Sequence, residues 1–463
     1  MKRIPAGVAA SHPATAGAGM RILREGGTAA DAAVAAVLAC CVAETIYTGL
    51  GGGGFATYFD AGSGEVTCLD FFVSVPGTDG DREAGPMLAV DVFFGGMPQV
   101  YSIGGASVAV PGVPAGCGEV HRRWGRLPWA DVVAPAAELA HSGVRVPAAH
   151  AQTLDACAPA LAWGEGAAVY MPGGRRLQAG DLLRHDGLGA ALERLAGAGP
   201  EIFYTGEYAA LMVDTVRAAG GSLGPRDLAD YRVLETPVDH AMLAGHRVRA
   251  RHDLNRTVDT IAGLPEDLAQ PGRAVGVATA LRDQGRQKIG DTTNVSVVDA
   301  EGNACVVTTT LGLGSGVWLP GLGINLNSML GEGELITADL TPGRRMSSNM
   351  CPLVVIDPDG ELAVAAGSAG ASRIRTALIS TLLGVLVDGL DMAGAIGRPR
   401  FHVVDDTVHA EPGCRRDELA ALAAAGFRIR HWPGFNHYFG GVTAVGQAGA
   451  AGDPRRDGVG LLL

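Results

Sequence analysis

Runs with helical spacing of apolar residues and runs of β-branched residues follow one another in blocks along this sequence, not as regular strand–helix–strand units. Residues 13–25 have helical spacing, with Pro13 at an early position and Gly26-Gly27 past the end. Thr28-Ala29-Ala30-Asp31 has the form of a capping box opening a second helix, rich in Ala and Val, through Cys41. Its apolar residues run nearly all the way round, which predicts burial between layers. A glycine loop at 49–54 precedes a strand at 55–59, and with 65–75 this predicts a hairpin around Ala61-Gly62-Ser63-Gly64. Helical spacing then covers 115–124, 129–142, 188–197 and 208–220, and Pro225 opens a short helix. Residues 233–251 return to an extended pattern. Strands at 353–356 and 362–367 precede an apolar helix at 374–389. Segments 401–404, 427–431 and 438–445 form a final β-rich region. This arrangement predicts an α+β fold with helices packed outside antiparallel sheets.

The stretch with the most chemistry is GDTTNVSVVDAEGNACVVTTTLGLGSG, residues 290–316. Two β-branched runs flank the turn formers Asp299-Ala300-Glu301-Gly302-Asn303, a hairpin signal. With the turn centred on Glu301, residues face each other when their numbers sum to about 602. Thr292 then lies opposite Thr310. No histidine follows in the strand to act as a base for a threonine nucleophile. Cleavage of the Asp291–Thr292 bond would supply one, because a free α-amine titrates at roughly 7.7–8.0 and can deprotonate its own residue's hydroxyl. The same residues also fit a threonine-rich strand pair with ordinary β-propensity.

Composition narrows the class. The 463 residues, 47% hydrophobic and 18% charged, can bury a large core and do not have the makeup of a disordered chain. A net charge of −12 without a basic run argues against a nucleic-acid partner. No stretch is apolar for long enough to predict a membrane span. Met1-Lys2-Arg3 leads directly into Ile4-Pro5 without an apolar leader core, so the expected location is cytoplasmic. Eight cysteines without CxxC spacing read as reduced, mostly buried small residues. The glycine run at 49–54 follows a helix and precedes a strand, the reverse of a dinucleotide-binding fingerprint, which favours close backbone packing. His252-Asp253 lacks a GxSxG elbow for a serine triad. His402, His409, His431 and His437 lack metal-ligand spacing, so no metal is expected.

Several segments together point to a family. TTNVSVVDAEGNA, GINLNSM, RRMSSNMCP and GSAGASRI resemble small-subunit motifs of the gamma-glutamyltranspeptidases. GVAASHPATAGAGMRILREGGTAADAAVAA, TGLGGGGFATYFDAGSGEV, VPGVPAGCGEVHRRWG, FYTGEYAALM and GGSLGPRDLADY resemble the large subunit, in the family's order and over nearly the whole chain. The resemblance implies a four-layer αββα N-terminal-nucleophile hydrolase fold that needs no cofactor. It implies autocleavage between Asp291 and Thr292 into a large subunit, 1–291, and a small one, 292–463, which stay together as one structural domain. Thr292 is then the nucleophile and Thr310 its hydroxyl partner. Gly370-Ala371 stands where the family has a Gly-Gly pair whose amides form the oxyanion hole. Ser347-Ser348 matches a serine pair that holds the substrate's carboxyl end.

The departures bear on the substrate. Phe72 stands where the family has the arginine that binds the glutamate α-carboxylate, and a phenyl ring cannot replace that bidentate fork. Gly312, Met329 and approximately Glu332 align with the Asn, Gln and Asp that hold the substrate ammonium. Asn294 replaces a histidine of the family's motif. Residues 251–256 replace a Pro-Pro-Ser-Gly-Gly type segment. The sequence therefore implies a hydrolase or acyltransferase acting on a small molecule other than glutathione, in secondary metabolism. Carbon–carbon bond hydrolysis of the kind ascribed to a relative in alkylproline-type antibiotic pathways is one alternative. Ordinary γ-glutamyl transfer and an uncleaved, non-catalytic scaffold are the others. Whether copies of the chain associate as a homo-oligomer is open.

Overall fold

The computed structural model describes residues 4–94, 97–252, 255–268, 272–282, 292–337 and 339–463. Among these, two wholly antiparallel sheets form the centre. The strands of both are numbered together in chain order: β1 (Gly7–Ala10), β2 (Gly53–Phe59), β3 (Val66–Phe71), β4 (Leu234–Thr236), β5 (Val238–Leu243), β6 (His246–Arg251), β7 (Thr293–Val298), β8 (Ala304–Thr310), β9 (Leu353–Ile356), β10 (Leu362–Ala369), β11 (Gly441–Gly446), β12 (Gly449–Gly452) and β13 (Val459–Leu462). The first sheet runs β13-β1-β7-β8-β2-β3-β4 and the second β12-β11-β10-β9-β6-β5. Each sheet contains strands from both sides of residue 291, so neither half of the chain supplies a sheet alone.

The helix layers follow from the apolar faces. Helices α1 (Pro13–Arg24), α2 (Ala29–Ala43), α3 (Val113–Trp124) and α4 (Trp129–Ser142) cover the first sheet through one apolar cluster that includes Val295, Val297 and Leu69. Every residue of α2 is buried, as its all-round apolar sequence requires, and Thr28 and Asp31 close the capping box at its start. Helices α5 (Thr257–Ala262), α6 (Arg273–Arg282) and α7 (Arg373–Leu386) cover the second sheet. Between the sheets lies a third cluster, with Ala9, Phe59, Val306, Val354 and Val445. The arrangement is the four-layer αββα sandwich.

Most expected elements are present with ends shifted by a few residues. The hairpin of Leu88–Phe94 with Met97–Ile103 and the helix Ala148–Leu161 are elements that the sequence reading did not anticipate. The glycine loop packs as expected: a β-carbon at Gly52 would collide with the Thr310 carbonyl. All eight cysteines are free thiols, seven of them buried. Among the described residues, no helix is long and apolar enough to cross a membrane.

Candidate active site

The β7–β8 register fixes the centre of the site. Thr293 pairs with Thr309, Asn294 with Thr308 and Val295 with Val307, each pair summing to 602. Continuing that ladder by one residue puts Thr292 opposite Thr310. The turn holds because the Asp299 carboxylate accepts from the amides of Glu301 and Asn303, at 3.0 and 2.9 Å. Asp299 also accepts from the Ala29 amide at 2.9 Å, tying the turn to the start of α2.

Side chains alternate along the hairpin. Val295, Val297 and Val307 enter the cluster beneath α2, whereas Val298, Ala304 and Val306 enter the inter-sheet cluster. Thr292 and Thr310 share the even-numbered, inter-sheet face. Both are 4% exposed and both line a small cavity of about 30 Å³ at the sheet ends. The hydroxyl oxygen of Thr310 accepts from the Gly312 amide at 3.0 Å, which also fixes the start of the following loop. Thr293 points the other way and donates to the fully buried Glu44 at 2.5 Å, anchoring the strand one residue past Thr292.

Asn294 is structural here. Its amide lies 2.5 Å from Thr308 Oγ1 and 2.6 Å from Thr443 Oγ1, and the opposite amide orientation preserves both contacts. It thus joins the two sheets.

The remaining expected site residues divide. Met329, Glu332, Ser348 and Ala371 line the cavity with Thr292 and Thr310. Ala371 follows Gly370 between β10 and α7, with φ of +50° and +116° respectively. Ala371 therefore occupies the left-handed region without glycine's freedom, at about 1–2 kcal/mol. Gly312, at φ +68°, lies behind the wall: a β-carbon there would sit 2.6 Å from both Glu332 Oε1 and Ser328 Oγ. Ser347 is outside the lining and contacts Thr337 Oγ1 at 3.2 Å. Phe72 is also outside it; the ring is fully buried and stacks on Phe55, with centroids 5.4 Å apart. It belongs to the apolar cluster containing Met329, Met350 and Ile374, and so backs the cavity wall. Asp291 and Asp253 lie outside the described residues.

Other lining residues are Leu335, Asn349, Met350 and Ile374, which the sequence reading did not single out. Arg456 is a further addition. Its Nη1 lies 3.5 Å from the Thr292 carbonyl oxygen, and its guanidinium stacks 4.8 Å from the Tyr47 ring centre. It is 1% exposed, and it helps push the His437 imidazole down to about 3, with burial the larger cause. The sequence signal was the Asp453-Pro454-Arg455-Arg456 turn, far from the threonines in the chain.

The sequence profile of gamma-glutamyltranspeptidase matches residues 15–252 and 260–463. The chain belongs to the gamma-glutamyltranspeptidase family. It is similar to the glutathione hydrolase proenzyme of Bacillus subtilis (strain 168), 25% identical over 91% of this chain and 85% of that one. It is also similar to the acylase ACY 1 proenzyme of Pseudomonas sp. (strain V22), 27% identical over 95% and 89%. The fold matches the cephalosporin acylase from Bacillus halodurans with a TM-score of 0.81, at 21% identity over 99% and 96% of the two chains. Family membership makes the protein an enzyme of the N-terminal-nucleophile hydrolase and acyltransferase class.

Proposed function

We propose that the chain is a proenzyme that cuts itself between Asp291 and Thr292 and then acts as a threonine hydrolase or acyltransferase on a substrate other than glutathione. The observation that carries this reading is the joint placement of Thr292, Thr310, Ser348 and Ala371 around one buried cavity. In the first step the Thr292 hydroxyl attacks the Asp291 carbonyl carbon, the Thr292 nitrogen leaves as an amine, and water resolves the ester. The cut divides the chain into a large subunit, 1–291, and a small one, 292–463, with no peptide bond between them. The proenzyme names of the relatives support processing, and the interleaving of both halves in each sheet supports their staying together.

In turnover the freed amine takes the hydroxyl proton, Thr292 attacks the substrate carbonyl, and the amides of Gly370 and Ala371 face the developing oxyanion. Amides so placed contribute roughly 3–4 kcal/mol per donor. The acyl group then passes to water or an amine.

The substrate reading rests on the lining. Among the described residues, its apolar wall comprises Met329, Leu335, Met350 and Ile374, Glu332 is the one carboxylate of the lining, and neither lysine nor arginine lines it. A γ-glutamyl group would bring an α-carboxylate that meets no cation among the described lining residues. A neutral or cationic acyl group fits this wall better, and amide cleavage of the kind named in the acylase relatives is the leading reaction. The same nucleophile would cleave a carbon–carbon bond if the leaving carbon can be protonated as an enol or enamine, a chemistry suited to secondary metabolism. Room for about one water in the uncut chain requires the cavity to open after cleavage.

Intact-mass measurement of wild type beside Thr292→Ala tests the proposal. Fragments ending at Asp291 and beginning at Thr292 in wild type alone are expected. A full-length chain in both would overturn it, and rapid turnover of a γ-glutamyl anilide would overturn the substrate reading.

A further inference from the structure

A second cavity, of about 490 Å³, lies between α5, α6 and the first turn of α7 and shares no lining residue with the threonine cavity. Its lining includes Arg256, Asp259, Thr260, Thr279 and Arg375. Arg375 follows Ile374, which lines the threonine cavity, and lies about 100° further round the helix.

Arg375 is 8% exposed. Its Nη1 donates to Thr260 Oγ1 at 3.0 Å, and among the described residues its Nε has no acceptor. Among the described residues, no carboxylate lies within 4 Å of it; Asp259 is directed to Arg256 instead, at 3.7 Å. Burial and the neighbouring Arg256 together push the guanidinium down to about 9, with Asp259 and the Cys351 thiol opposing weakly. The position aggravates this, because Arg375 sits in the first turn of a 14-residue helix whose first turn holds no acidic residue. A cation there opposes the positive end of the helix dipole. Burial, a like charge and the dipole all disfavour an unaccompanied guanidinium, and a bound anion would relieve all three. The hydroxyls of Thr260 and Thr279 donate to backbone carbonyls, at 2.9 and 2.8 Å, which leaves the arginines as the side-chain donors facing the cavity.

We propose that this cavity is an oxyanion site for a small carboxylate or phosphate-bearing molecule, anchored by Arg375 and completed by Arg256. The inference does not depend on the chemistry proposed for Thr292.

The test is thermal melting and calorimetric titration of the full chain with inorganic phosphate and with succinate, against potassium chloride of equal ionic strength. Wild type is expected to melt higher with one of the two anions and to bind it saturably. A response to phosphate alone assigns a phosphate site, and one to succinate alone a carboxylate site. Arg375→Met is expected to bind about thirtyfold more weakly. Without anion it should melt no lower than wild type, because it removes a buried charge with no counter-ion among the described residues. Arg375→Gln should behave likewise. An equal response in wild type and variants, or none in wild type beyond chloride, would overturn the proposal. So would an anion-free Arg375→Met that melts well below wild type or fails to fold, since the guanidinium would then be structural.

Discussion

Glu332 Oε1 occupies the space that a side chain at Gly312 would enter: a β-carbon at that glycine would lie 2.6 Å from it. Gly312 and Glu332, two of the three positions expected to correspond to substrate-ammonium ligands, are therefore sterically coupled. Gly312→Asn alone is expected to cost about 1–3 kcal/mol by overpacking. Adding Glu332→Ala should recover a large part of that loss, with an interaction energy of about 0.5–3 kcal/mol. Urea denaturation of the four chains in the cycle measures it. Strict additivity would show that the carboxylate moves aside freely.

If the proposed cut before Thr292 is made, Arg456 should tune the amine it creates. A buried guanidinium 3.5 Å from the Thr292 carbonyl disfavours a second positive charge at the same residue. The α-amine should then deprotonate below the roughly 7.7–8.0 usual for such groups. The acid limb of kcat/KM reports it. Arg456→Met is expected to move that limb to higher pH, and Arg456→Lys, which keeps the charge, to move it less. A limb that stays in place in Arg456→Met would remove Arg456 from this role.

The hairpin was legible because its geometry is local. Asp299 and Gly302 set the turn, strand alternation sets the faces, and simple addition then brings Thr292 to Thr310 across the ladder. The capping box and the buried helix at 29–43 were legible for the same reason. Phe72 was not, because alignment gives its position but not the direction of its ring at the end of β3, where it turned into the apolar cluster with Phe55. Glu332 lies between two short 3-10 turns, Met329–Gly331 and Gly333–Leu335, which have no strand or helix period to read. Arg456 reaches the site from 164 residues away in sequence, a contact that only the closing of the first sheet creates.

Ala371 offers a test of strain at the proposed oxyanion position. Its φ of +50° costs about 1–2 kcal/mol for an L-residue with a β-carbon. Glycine removes that cost but returns about 0.4–1 kcal/mol through the unfolded chain. Ala371→Gly is thus expected to be more stable by up to about 1.6 kcal/mol in urea. Because the backbone amide is retained, its kcat should fall by less than the roughly 100-fold loss of a whole donor. Ala371→Val should be less stable than wild type. If glycine instead destabilises, the left-handed backbone at this position is not strained in solution.

The buried histidines predict how stability falls in acid. Burial holds His185 at about 4, His409 at about 4 and His437 at about 3, and pushes His150 and His402 well below the ordinary imidazole range. In the unfolded chain these groups titrate near 6.5, so below that pH the unfolded state binds more protons. The stability they contribute is complete above pH 6.5 and is lost as pH falls toward 4, at up to about 1.4 kcal/mol per pH unit for each group. Between pH 4.5 and 6, where most carboxylates remain ionised in both states, histidine should dominate the slope. His185 is a clean probe, because its Nε2 lies 2.9 Å from the buried Thr45 hydroxyl and burial dominates its shift. His185→Gln should flatten the plot of unfolding free energy against pH by up to about 1.4 kcal/mol per unit in that window. An unchanged slope would mean that His185 already accepts a proton in the folded chain.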